Sequence, residues 1–232
     1  MQVEASYPEI EQAGGLLEAL DVAIRSIPSP VDVLRKRDSD SERSFSFSNA
    51  LYEHHFLISV WDRGVELFRG SHEEIGQAAM VVANWLEGRL DIRSFHELHP
   101  ELAVFPWTFA YHESAEKFAI ACWEDLDSSL RLEDDPLAEF TRLGTRSPEL
   151  RRFRPFTSMG TLLLSRTTGY PFITMGISVR AESAGAVVVQ IGSMPPRTDR
   201  PELIIPLIER EIAHIPSLRY GTAEPDRRPK NE

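Results

Sequence analysis

FLISVWDRGVELF, residues 56–68, carries the clearest structural signal in the chain. FLISVW alternates and is rich in strand formers, Asp62-Arg63-Gly64 supplies a turn, and VELF returns, which together spell a β-hairpin. A helix follows over 72–87. Ser71 stands three residues before Glu74, the spacing of a capping box. Ile75, Ala79, Val82 and Leu86 recur at i, i+4, i+7 and i+11, one helical face, and Gly88 is the expected stop. A strand pair followed at once by an amphipathic helix that must cover it points to an α+β fold.

The same order returns further along the chain. ISVRAES (177–183), an Ala184-Gly185 turn and AVVVQI (186–191) form a second hairpin. A helix over 203–214 follows, with Asp199 and Glu202 at capping spacing and Pro206 disturbing its first half. Two hairpin-helix units building one antiparallel sheet, with helices packed on it, are therefore expected. Further helices are predicted over 9–26, weakened by Gly14 and Gly15, and over 114–130, with short helical pieces at 136–143 and 147–153. Residues 35–44 are charged and serine-rich, a loop. RYGTA (219–223) is a candidate final edge strand. The organisation read from this is an N-terminal helix and flexible loop over 1–50, one α+β domain over 51–223, and a disordered tail over 224–232.

Composition removes several functions. The 232 residues carry a net charge of −11, which argues against a nucleic-acid binder, since such binding rests on Lys and Arg neutralising phosphates. That charge suits a soluble protein, or one that binds a basic partner. The single cysteine, Cys122, excludes an internal disulfide and a four-cysteine zinc site. The N-terminus has neither a basic nor an apolar region of a signal peptide, and no apolar run spans a membrane. The expected location is the cytoplasm, without nucleic-acid or membrane partners. AVVVQI, if outermost, offers an edge for a homodimer.

Candidate chemistry comes from several clusters. His96 and His99 of HELH, with His112 farther on, are metal-ligand types, but the spacing is not that of a zinc-protease helix and Pro100 follows directly; no metal and no cofactor are expected. Cys122 falls on the apolar face of a helix beside Glu124 and Asp125, which suits a small core hydrophobe better than a nucleophile. Residues 124–135 hold six acids and one arginine, and 142–154 hold five arginines and one acid. The arginines offer carboxylate or phosphate forks. Trp107, Phe109 and Tyr111 alternate, and on a strand they would line one face.

PFTSMGTLLLSRTTGYPF, residues 155–172, combines hydroxyls, Arg166, Tyr170 and a turn shaped by Gly169 and Pro171. It reads as a strand delivering a polar turn to the rim of a pocket. No adjacent base or GxSxG elbow is present, so no catalytic residue is assigned. The candidate ligand-binding residues are Arg154, Thr157, Ser158, Arg166 and Tyr170, with Trp107, Tyr111 and His112 as a nearby aromatic and imidazole wall.

This stretch, with WDRGVELFRG and FAYHESAEKFAIACWEDL before it, resembles an uncharacterised bacterial family, a domain of unknown function associated with natural-product biosynthesis. The resemblance runs from about residue 56 to about 223. It implies an accessory protein of such a pathway, peptide-derived products among them, that binds a small-molecule or peptide intermediate. It brings no catalytic residues. A cofactor-free enzyme such as a cyclase is one alternative, and an immunity-type or regulatory protein masking a basic partner is another.

Overall fold

A computed structural model describes residues 7–27, 43–50, 53–130, 136–166, 174–182 and 185–214. The chain forms two compact units, Met1–Thr108 and Phe109–Glu232. Both are α+β with antiparallel sheets, the class expected from the hairpins.

In the first unit, β1 (Arg43–Asn49), β2 (Phe56–Asp62), β3 (Val65–His72) and β4 (Ala103–Val104) lie in that order in one sheet. The β2–β3 turn takes Arg63 and Gly64 at φ 47° and 75°, the paired left-handed geometry that matches strand twist in a two-residue hairpin. Glu66 faces Trp61 while Phe68 faces Val60, so Leu67 is the extra residue of a bulge. Phe56, Ile58, Val60 and Phe68 are buried on one face. Helix α3 (Ile75–Glu87) covers them with Ala78, Ala79, Val82, Trp85 and Leu86. It ends at Gly88 in the left-handed region, φ 72°. Helices α1 (Pro8–Ala13) and α2 (Leu16–Arg25) are separated by Gly14, φ 85°, so the helix expected over 9–26 is two, and α2 packs on α3.

β1 lies where the sequence reading has a flexible loop reaching residue 50. Its RSFSFSN text alternates Ser outward with Phe inward. Two further contacts fix it. Trp85 Nε1 donates to Ser44 O at 3.0 Å and Trp61 O at 3.1 Å. The Arg43 guanidinium lies over the Trp85 indole, 4.4 Å from its centroid, and donates to Leu90 O at 2.9 Å. Ser71 does not cap α3: it is a strand residue opposite Leu57, and Glu74 is the N-cap residue without a side-chain hydrogen bond. Helix α4 (Ile92–Leu98) does have such a cap, Asp91, which accepts from Ser94 N at 2.8 Å.

The second unit begins within α5 (Thr108–Glu113), so Trp107, Phe109 and Tyr111 do not alternate along a strand. The turn before it is locked by Thr108 Oγ1, which donates to Leu67 O at 2.6 Å. Helices α6 (Ala115–Leu130), α7 (Pro136–Gly144) and α8 (Pro201–His214) accompany a sheet ordered β5 (Arg154–Ser158), β6 (Thr161–Ser165), β7 (Thr174–Ala181), β8 (Val187–Ile191) and β9 (Arg197–Asp199). Leu162, Leu164, Val179, Val187 and Val189 share a core with Trp123, Phe140, Ile204 and Ile208. The two expected hairpin-helix units thus exist, β2–β3–α3 and β7–β8 with α8, but they stand in separate sheets. A short strand, β9, comes between β8 and α8. It also leaves AVVVQI as an interior strand, so the edge strands are β5 and β9. Pro206 lies inside α8, on its exposed side. The expected strand over 219–223 and the tail lie outside the described residues. Among the described residues no helix is long and apolar enough to cross a membrane.

Candidate functional site

The first unit holds an open cavity of about 810 Å³ between the end of α2, the start of α3 and the turn after α4. Three titratable side chains meet on its wall: His72, His99 and Glu101. The local sequence explains each placement. His72 ends β3 in the row of Phe68 and Gly70, the side that α3 covers. His99-Pro100-Glu101-Leu102 is a tight turn closed by Leu102 N donating to His99 O at 3.2 Å, with proline at the position where its fixed φ suits a turn. The turn then packs Leu102 against β3. A Cβ on Gly70 would fall 2.4 Å from Leu102 Cδ2, so glycine there lets the turn settle and brings Glu101 beside His72.

Glu101 Oε1 lies 3.3 Å from His99 Nδ1 and 3.7 Å from His72 Nε2. The other His99 nitrogen, Nε2, is 3.0 Å from Asn84 Nδ2. A carboxylate only accepts, so Nδ1 carries the proton toward Glu101 and Nε2 accepts from the Asn84 amide. That is a neutral imidazole. Burial holds the His99 pKa below its ordinary value, with Glu101 opposing and His72 adding to the lowering. His72 is different. Its side chain is 9% exposed, Nδ1 is 3.3 Å from Gln77 Oε1, and Nε2 is buried without a hydrogen-bond partner, since 3.7 Å to Glu101 exceeds hydrogen-bonding reach. Ala23, Ile27, Met80 and Leu98 supply apolar wall. A volume of this size, mostly apolar with a few convergent polar groups, has the build of a small-ligand site. Among the described residues no three His, Cys, Asp or Glu side chains group as a metal site.

The sequence-predicted residues fall elsewhere. Trp107 belongs to the first unit, where Nε1 donates to Glu66 O at 2.9 Å and the ring stacks on Phe105. His96 stacks on Phe68, centroids 6.0 Å apart. In the second unit Arg154 opens β5. Its guanidinium lies over the Phe118 ring at 5.1 Å, hydrogen-bonded to Cys122, and burial lowers its pKa. Tyr111 is buried with its ring edge-on to Phe118. The structure therefore brings Arg154, Tyr111 and Cys122 together inside the second unit. Burial raises the Cys122 thiol to about 12, against the pull of Arg154, so it is no nucleophile at neutral pH. His112 is exposed on α5. Thr157 and Ser158 are exposed at the end of β5 beside the Met159-Gly160 hairpin turn, in register with Leu162 and Thr161. Arg166 is half-buried just after β6. Tyr170 lies outside the described residues. Of the arginine run, Arg142 and Arg152 are each held by a glutamate three residues upstream, Glu139 and Glu149.

Of the cavity wall, the sequence marks His99 as a partner of His96, and Ser71 and Glu74 only as a capping pair. His72, Asn84 and Glu101 are far apart in the chain and carry no local signature. A family of unknown function, DUF6193, matches residues 121–205. No curated protein and no solved structure matches the chain. The similarity to that family thus lies entirely within the second unit, starting inside α6 and ending inside α8.

Proposed function

We propose that this protein is a binding protein of a bacterial natural-product pathway, and that the cavity of its first unit holds a small-molecule or peptide intermediate. The sequence resemblance supplies the pathway context. One observation carries the binding assignment. His72 is nine-tenths buried, lines the cavity and has a ring nitrogen without a hydrogen bond, beside a carboxylate already shared with His99. Leaving a buried polar atom unmatched costs about 1–3 kcal/mol, which a ligand group can recover. The test is a screen of pathway intermediates by imidazole-resolved NMR. Binding should move the His72 and His99 signals together, and Glu101→Gln should weaken it. Intermediates that bind without touching either imidazole would sink this site.

A second reading is favoured by the Glu101–His99 contact, because a carboxylate holding an imidazole proton is general acid–base equipment. In that reading the protein is a cofactor-free enzyme, such as a cyclase, of the same pathway. Turnover of an intermediate by the purified protein, lost in His99→Gln, separates it from simple binding.

A further inference from the structure

A second cavity, about 670 Å³, lies on the outer face of the first unit's sheet. The pleat explains its lining. Ser46 faces Ser59, which faces Arg69; Ser48 faces Leu57, which faces Ser71. Side chains opposite one another share a face, so four serine hydroxyls share this face with Leu57 and Arg69. Ser71 and Glu101 line this cavity and also the histidine-walled one. The two therefore adjoin at the end of β3, and we read them together as a trough.

Its charge and apolar footing define an occupant. Arg69 is spent on Glu66 through two contacts of 2.8 Å. Glu101 is 43% exposed and lies beside the His99 and His72 imidazoles, of which His99 is held toward its neutral form. Among the described residues no lysine or arginine pairs with it. Exposed Glu74 adds a second negative charge to the wall. Of six large apolar side chains exposed in the described residues, Leu57, Met80 and Leu98 line the trough, one on the sheet face and two on the histidine side.

We propose that this trough binds an extended peptide, with a lysine or arginine side chain on Glu101 and apolar side chains to either side. The proposal rests on the histidine-walled cavity being a binding site, and it names the class of ligand. Cavities of these volumes are each about 9 Å across, and an extended chain rises about 3.3 Å per residue, so about five or six residues fill both. The serine hydroxyls can donate to and accept from the backbone of such a chain, and the Glu101 carboxylate gives the cation a charge-assisted hydrogen bond.

The probe is a positional-scanning library of acetylated, amidated hexapeptides, read by NMR on the full-length protein. Pools with lysine or arginine fixed at one position should bind about tenfold tighter than pools with norleucine there. They should shift the Ser59 and Ser71 amides and the His72 ring together. Glu101→Gln should erase the preference. Ser59→Tyr, which fills the sheet face away from the histidines, should weaken the peptide while leaving a small ligand at His72 unaffected. Equal binding of norleucine or glutamate pools, shifts confined to one cavity, or binding of oligosaccharides in place of peptides would overturn the proposal. A small intermediate that moves the His72 ring while every peptide pool is silent overturns the peptide and keeps the binding function. Silence of both overturns both.

Discussion

Met159 stands wholly in solvent at the tip of the β5–β6 hairpin with φ 49°, next to Gly160 at φ 73°. A non-glycine residue there costs about 1–2 kcal/mol, and with no packing around it the side chain returns nothing. Asn tolerates that conformation, and Asn-Gly is the preferred pair for this turn. Met159→Asn should therefore raise stability by about 0.5–1 kcal/mol in urea melts; an unchanged or lower midpoint would contradict the turn geometry. A second residue gives the protein a pH dependence. Unfolded, the His99 imidazole takes its proton near 6.5; folded, burial holds that proton off to lower pH. Between those values the unfolded chain binds more protons, so stability is full above about 6.5 and falls as pH drops through the window. The slope is at most about 1.4 kcal/mol per pH unit for one group. Glu101, Asn84 and His72 face or adjoin this ring, and carboxylates elsewhere titrate too. The reading is thus a difference: denaturation at pH 7.5, 6.5 and 5.5 should show a shallower loss in His99→Gln than in the parent.

Helix α7 ends where Gly144 meets the indole of α6. A Cβ there would sit 2.7 Å from Trp123 Cζ3, and Trp123 is itself fixed by Nε1 donating to Phe153 O at 2.9 Å and Leu150 O at 3.2 Å. The indole cannot swing away cheaply. Gly144→Ala should cost about 1–3 kcal/mol, the range for overpacking, measurable as an earlier thermal transition; a neutral effect would mean that α7 slides. Elements of this kind were unevenly legible in the sequence. The β2–β3 hairpin and α3 stood out because period two, a Asp-Arg-Gly turn and period 3.6 follow one another without ambiguity. β1 was lost because Arg43 and three serines read as loop, although Phe45 and Phe47 keep the strand period. Ser71 misled because a capping spacing says nothing about whether the residue is still paired in a strand. The candidate site was the least legible part. Its carboxylate and two imidazoles come from β3 and from the turn after α4, and only the packing of Leu102 over Gly70 makes them neighbours. The Arg154 neighbourhood was found by composition, yet its burial between Phe118 and Cys122 depends on how α6 meets β5, which no residue pattern in 154–172 encodes.

The family similarity covers only part of the buried residues of the second unit. Residues 121–205 leave out Phe118 and Ala119 of α6 and Ile208 and Ile212 of α8, all buried. A fragment 121–205 should fail to fold, whereas 109–232 should give a cooperative melt and dispersed amide spectra. A folded 121–205 would show that the ends of α6 and α8 are dispensable. Cys122 is buried on α6 of this same unit, and that makes it a clock. A thiol so placed meets an alkylating reagent only when its surroundings open, so the labelling rate is the rate for a free thiol scaled by the fraction of time spent open. With one cysteine in the chain, every modified molecule reports an opening of the second unit, and comparing that rate with amide exchange in α3 tells whether the two units breathe together or apart.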